Sequence, residues 1–352
     1  MARSRPPVLE SMLVLMPVAV VMKVAGVNPA AVFLASAAAI IPLAGYMGRA
    51  TEDLARHAGP GIGGLLNVTF GNATELIIAF TALQAGLLDV VKASLTGSVV
   101  GNLLLVLGLS MLAGGLKRKE QRFSVRAAGT YNSLMVMALI GMTIPALFFY
   151  AGGSEQARQS ASLGVSVLLL ALYALAMVFS LHTHRHIFNP LAEEDHAPAG
   201  WSRRKAVLVL GVSAMLVALL SEILVGSVEG AASSLGLSDL FIGVVIVAII
   251  GNAAEHGVAV SVAVRDKMDL SFAIATGSSA QVALFVAPLL VLAGRAIGRP
   301  MDLFFEVFEL AAMGLAVAAV IMVSQDGESN WFEGSMLLSV YIMMAMVFYL
   351  HP

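Results

Sequence analysis

The sequence predicts an all-α multi-spanning membrane protein with eleven transmembrane helices: one extra N-terminal helix, then two inverted five-helix repeats. Three observations predict it. Hydrophobic residues make up 59% of the 352 and charged residues only 12%, with a mean hydropathy of +0.90, whereas soluble domains average about 25% charged. The charges cluster between long continuous apolar runs, as in helical spans and unlike the alternating strands of a closed barrel. Finally, Gly71-Asn72-Ala73-Thr74-Glu75 recurs as Gly251-Asn252-Ala253-Ala254-Glu255, and each copy sits midway along an apolar run.

Apolar windows place the spans at 8–27, 30–48, 61–87, 91–115, 129–151, 161–183, 205–233, 239–264, 269–298, 303–324 and 331–350. The first follows Met1-Ala2-Arg3-Ser4-Arg5, has no small-residue cleavage site and is followed at once by another span. It reads as a retained helix, residues 1–28, rather than a signal peptide. The longest polar linker, 184–204, carries the short acidic run Glu193-Glu194-Asp195 between Pro190 and Pro198. It separates a first five-helix repeat, 29–183, from a second, 205–352. Five is odd, so the halves enter the membrane in opposite directions, the plan of many secondary transporters. Placing the N-terminus in the cytosol puts fifteen of the twenty Lys and Arg on the inner side and the C-terminus outside, as the positive-inside rule favours.

At a fixed offset of 180, Gly71/Gly251, Asn72/Asn252, Glu75/Glu255, Asp89/Asp269, Thr96/Thr276, Gly97/Gly277 and Ser98/Ser278 coincide without a gap. Asn, Asp and Glu are scarce here, which makes chance a poor explanation. A carboxylate within a bilayer costs about 2.5–3.5 kcal/mol on insertion scales. Two of them in matched positions point to an ion site. Gly71 and Gly251 lie four residues before their Glu, on the same helix face. They and Gly97 and Gly277 read as helix breaks or close-packing points. Thr96-Gly97-Ser98 and Thr276-Gly277-Ser278 read as crossing points of unwound backbone. Asn72, Asn252, Ser98, Ser278 and Gln281 add neutral oxygens, and the Asn102 amide can also reach them.

Two carboxylates plus neutral oxygens suit a hard divalent cation; Ca2+ takes such a set in flexible geometry, whereas Mg2+ demands a strict octahedron. Once the ion leaves, desolvation and like charge both favour the protonated carboxyls. The same atoms then bind cation and protons by turns, and that competition gives antiport. His256 follows Glu255, where the first half has Leu76; this asymmetry suggests a proton path or a selectivity role. At an offset of 170, Thr51-Glu52 aligns with Ser221-Glu222, which makes Glu52 and Glu222 candidate mouth or proton-path residues.

The net charge of −2 gives no reason to expect a nucleic-acid partner. The absence of cysteine excludes disulfides, thiolate metal sites and Cys catalysis. No His-Glu-x-x-His motif or Ser/His pairing marks an enzyme, and nothing calls for a cofactor. The expected partners are the transported ions and the lipid bilayer; a homo-oligomer stays open.

The two Gly-Asn-Ala-x-Glu copies, followed by Gly97-Ser98-Val99-Val100-Gly101-Asn102 and Gly277-Ser278-Ser279-Ala280-Gln281, resemble the Ca2+/H+ antiporters of the cation/proton exchanger family. Tyr46-Met47-Gly48-Arg49-Ala50-Thr51-Glu52 and Asp326-Gly327-Glu328-Ser329-Asn330-Trp331-Phe332-Glu333-Gly334 carry the resemblance further. It implies one extra helix before two inverted five-helix repeats, with Ca2+ as the transported substrate. It also implies Glu75 and Glu255 as the cation-binding carboxylates, Asn72, Asn252, Ser98, Ser278 and Gln281 nearby, and His256 beside them. The family's acidic segment between the halves is represented here only by Glu193-Glu194-Asp195. The rival readings are a Na+/Ca2+ exchanger of the same superfamily and a passive cation channel. The first usually has Pro beside the acidic residue, where this chain has Thr74 and Ala254. The second lacks a use for two pseudo-symmetric halves. The lack of targeting signals suggests a bacterial inner membrane.

Overall fold

The computed structural model describes residues 10–188 and 200–351; Glu193, Glu194 and Asp195 lie outside them. Each apolar window of the sequence contains helix. The first is α1 (Met12–Val24). α2 (Pro29–Ala58) begins at Asn28, whose side-chain oxygen accepts a hydrogen bond from the Ala30 N–H at 2.8 Å, with Pro29 in the first turn. The cap satisfies an orphan donor, and proline supplies a helical φ where no N–H is needed. The sequence window ended at 48, yet α2 continues through Glu52 and Arg56 to Gly59, which has φ +82°. Thirty residues span about 45 Å, more than the roughly 30 Å of hydrocarbon. Polar side chains therefore line the last turns without ending the helix, and only the left-handed φ of glycine stops it.

α3 (Pro60–Gly71) and α4 (Ala73–Ala85) form one apolar span bent by 44°. α5 (Leu88–Gly115) is continuous but shifts to π-helical bonding over Gly101–Val106. Then come the strand β1 (Gln121–Arg122), α6 (Val125–Tyr150) and α7 (Glu155–Thr183). Ser124 and Ser154 cap the two helices, their hydroxyls accepting from the Ala127 and Ala157 N–H groups. α8 (Arg203–Val225) is capped in the same way by Ser202 and is followed by α9 (Val228–Leu235). The window 205–233 is thus divided. The N–H groups of Gly226 and Ser227 turn back onto Glu222 and Leu224, and the Ser227 hydroxyl donates to the Ile223 carbonyl at 2.7 Å. A hydroxyl that competes for the last carbonyls ends the helix there.

α10 (Asp239–Val264), α11 (Met268–Ala296), α12 (Val307–Val323) and α13 (Trp331–Leu350) complete the chain. The strand β2 (Glu328–Ser329) pairs antiparallel with β1. Among the described residues, eight helices are long and apolar enough to cross a membrane, or nine with the bent α3–α4 pair as one span; α1 and α12 are shorter apolar helices.

The helices form two compact units. One comprises Met1–Ser94, Pro198–Ala254 and Phe348–Pro352. Its centre is α2 packed along α8, with α1, α3 and α9 on α2 and α4 on α8; Phe33, Ile40, Met47, Leu83 and Leu220 are fully buried there. The other comprises Leu95–Ala197 and Glu255–Val347. In it α11 packs on α5, α6 and α7, and α12 packs on α6, around Leu103, Leu107, Met111, Met142 and Phe305. In this unit α5 and α13 meet backbone to backbone, because a Cβ at Gly334 would collide with the Gly108 carbonyl and the Leu112 backbone.

Candidate cation-binding residues

In the first unit, the break between α3 and α4 falls at Gly71-Asn72, where Asn72 has φ −96° and ψ +26°. The break creates a new helix N-terminus inside an apolar span, and Glu75 lies in that first turn, where the helix dipole favours an anion. Glu75 is only 8% exposed. Asn72 is buried, as is Asn252, whose Nδ2 donates to the Ala248 carbonyl at 2.8 Å. That bond engages the amide nitrogen, so oxygen is the atom this side chain would offer a cation. Gly251 packs directly on the first glutamate: a Cβ there would lie 3.1 Å from Glu75 Cγ.

In the second unit, Glu255 is half-buried on α10. Its carboxyl is hydrogen-bonded by the Ser278 side chain of α11, and its Oε2 is buried with no hydrogen-bond partner. His256 Nε2 lies 3.1 Å from Asn102 Oδ1. An amide oxygen only accepts, so with this pairing Nε2 is the donor. Ser98 is buried and Gln281 half-buried.

The glycines divide. Gly71 ends α3 at the break, whereas helix runs through Gly97, Gly251 and Gly277. The helix breaks expected at those three positions, and the unwound backbone expected at Thr96-Gly97-Ser98 and Thr276-Gly277-Ser278, are not what the chain adopts. A helical glycine costs only about 1 kcal/mol relative to alanine, while an unpaired amide in lipid costs several times more. The ladder therefore stays closed, and the missing Cβ serves close approach instead: Gly251 meets Glu75, and a Cβ at Gly277 would lie 3.5 Å from the Tyr131 ring. The departures from α-helix come just after each Thr-Gly-Ser segment, as π turns at Gly101–Val106 and Val282–Val286. These occupy equivalent positions in the 180-residue repeat, and π turns often mark functional sites.

Glu52 and Glu222 are exposed. Glu52 pairs with Arg56 at 2.6 Å, one turn along α2. Its buried neighbour Asp53 instead accepts from the N–H groups of Gly200 and Trp201, at 2.9 and 3.1 Å. Among the described residues no group of three or more His, Cys, Asp or Glu is clustered, so a bound cation would depend on neutral oxygens as well. Sequence reasoning missed three buried carboxylates, Asp53, Asp302 and, in α12, Glu309, which is 3% exposed. Glu309 has no counterpart in the repeat, because Gly129 stands 180 residues earlier.

The architecture is that of a multi-pass integral membrane protein, and the chain belongs to the sodium/calcium exchanger protein family, whose profile matches residues 28–182 and 205–350. The two matched segments flank the polar linker. The Ca(2+)/H(+) antiporter of Synechocystis sp. is 47% identical over 342 residues, covering 91% of each chain. The Ca(2+)/H(+) antiporter ChaA of Bacillus subtilis is also 47% identical, over 325 residues, 91% of this chain and 92% of its own. The solved structure of native YfkE superposes with a TM-score of 0.85 at 42% identity, covering 97% of this chain and 99% of that one. The two curated relatives are transporters rather than enzymes.

Proposed function

We propose that this chain exchanges cytosolic Ca2+ for external protons across a bacterial plasma membrane. The observation that carries the reading is the recurrence of Gly-Asn-Ala-x-Glu around Glu75 and Glu255, in a chain 47% identical to a Ca(2+)/H(+) antiporter over 91% of its length. Glu75 and Glu255 bind Ca2+ as a pair of carboxylates and hold protons once it has left. Asn72, Asn252, Ser98, Ser278 and Gln281 supply neutral oxygens, which suits a flexible Ca2+ shell. Exchange is obligatory because the empty, doubly charged pair does not reorient. Eleven spans accompany this reading: α1 and α12 cross the membrane with the others, the two five-helix halves are inverted, the N-terminus is cytosolic and the C-terminus outside. His256, held by Asn102, carries protons or restricts the cation.

The test is 45Ca2+ uptake into proteoliposomes with an acidic lumen and no Na+ present. Uptake that collapses with a proton ionophore supports Ca2+/H+ exchange. Uptake that requires a Na+ gradient moves the protein to the Na+-coupled branch, and flux that does not saturate with Ca2+ indicates a channel.

A further inference from the structure

Thr96 and Thr276 occupy the same place in the repeat, yet their hydroxyls are used differently. Thr276 Oγ1 donates to the carbonyl of Phe272, one turn back in its own helix, at 2.7 Å. Thr69, Thr81, Thr130 and Thr143 bond their own helices in the same way, the usual habit of a helical threonine. Thr96 instead donates to Glu309 Oε1 at 3.1 Å, across 213 residues of sequence. Both residues belong to the second unit, and both are buried. The other oxygen of Glu309 accepts from the Glu306 N–H at 2.9 Å, which closes a capping box at the start of α12.

A capping box accounts for Oε2 alone and is normally served at a solvated helix end. Here the capping carboxyl is 3% exposed, and its second oxygen reaches another helix. The N-terminus of α12 offsets part of the burial penalty. Glu309 is thereby fixed by its own helix and holds Thr96 of α5. Ser98 is two residues on, about 200° around the helix axis, so the contact pins α5 from the side opposite Ser98.

We propose that Glu309 is a positioning residue for the cation-binding groups, acting through Thr96 to set the rotation of α5 and with it Ser98; the proposal rests on the Ca2+/H+ exchange reading above. Among the described residues the brace is found in the first half, whereas the second Thr-Gly-Ser segment is tied to its own backbone.

Thr96→Val removes the hydroxyl and leaves the cap intact. Glu309→Ala removes the carboxyl, and Glu309→Gln keeps the cap and an amide that can donate to the Thr96 oxygen. In proteoliposomes, Thr96→Val and Glu309→Ala are each expected to raise the Ca2+ concentration for half-maximal uptake about tenfold, the effect of losing one buried hydrogen bond. Maximal rate should hold within about twofold, because only a binding-site contact is loosened. Glu309→Gln should lie near the wild type, and the double variant Thr96→Val/Glu309→Ala should be no worse than the worse single. Half-saturation at the wild-type value in Thr96→Val, or effects that multiply in the double variant, overturns the proposal. If Glu309→Ala does not fold, Thr96→Val decides alone.

A second readout does not depend on the transported ion. The chain has no cysteine, so Ser98→Cys provides a single thiol whose modification rate by a water-soluble thiosulfonate reports its placement. Adding Thr96→Val should change that rate at least about fivefold if the helix rotates. An unchanged rate, including no labelling in either background, overturns the positioning role. A changed rate, with no Ca2+/H+ exchange by the wild-type protein, keeps the positioning role and removes the Ca2+ reading instead.

Discussion

Gly251→Ala perturbs Glu75 without touching its charge. The added Cβ would stand 3.1 Å from Glu75 Cγ and 3.8 Å from its Cα and Cδ. Optimal carbon contacts lie at about 3.5–4.0 Å, so the glutamate must yield by about half an ångström. Overpacking of this kind costs about 1 kcal/mol at the low end of its range, while alanine for glycine returns about 1 kcal/mol of helix propensity. Global stability should therefore stay nearly unchanged, and the displacement falls on the carboxylate. A penalty of about 1 kcal/mol on the Ca2+-bound state corresponds to roughly fivefold in affinity. The assay is the Ca2+ dependence of uptake into proteoliposomes, with thermal unfolding in detergent alongside. Gly257→Ala, on the same helix but facing open space within 4 Å, is the matched control and should be silent. If Gly251→Ala folds as the wild type does and keeps its half-saturation, Glu75 is not a ligand whose placement matters, and the reasoning fails.

Other perturbations separate the remaining parts. Glu75→Gln and Glu255→Gln should each reduce Ca2+ uptake more than the 10–100-fold that outer partners of metal ligands contribute; exchange near the wild-type rate in either would remove the two-carboxylate mechanism. His256→Ala loses the 3.1 Å bond to Asn102 and should alter the pH profile of exchange, which initial rates across external pH would reveal; an unaltered profile removes its proton-path role. Asp53→Ala strips the carboxylate from the Gly200 and Trp201 N–H groups. It should destabilise the protein by about 3 kcal/mol in thermal unfolding while leaving Ca2+ half-saturation alone, because both carboxylate oxygens of Asp53 are engaged by those backbone N–H groups. Gly334→Val places side-chain atoms on the Gly108 and Leu112 backbone and should abolish the folded protein, read as loss of a monodisperse peak in detergent.

Much of the fold was legible because long apolar runs leave the backbone little choice: in lipid it must bond to itself. That logic finds helices and misplaces their ends. α2 outran its apolar window to Ala58 because polar residues continue a helix once they reach water, and 205–233 was cut at Gly226-Ser227 by a local hydroxyl bond that hydropathy does not register. The repeat brought Glu75, Glu255 and their neighbours to notice through scarce residues at a fixed offset. At Gly97, Gly251 and Gly277 it left both readings open, since a glycine signals either a break or a close approach, and only the packed structure decides which. The Asn102–His256 and Thr96–Glu309 bonds join residues 154 and 213 apart. No spacing encodes such pairs, and Glu309, with no partner in the other half, carried no repeat signal at all.

The central claim is that the same carboxylates hold Ca2+ and protons by turns. It is tested most directly by adding Ca2+ to purified protein in weakly buffered detergent solution and measuring the protons released per ion bound, since ligands must deprotonate to bind metal. The expected result is proton release that saturates with Ca2+ binding in the wild type and falls in both Glu75→Gln and Glu255→Gln. Ca2+ binding with no release of protons would contradict it.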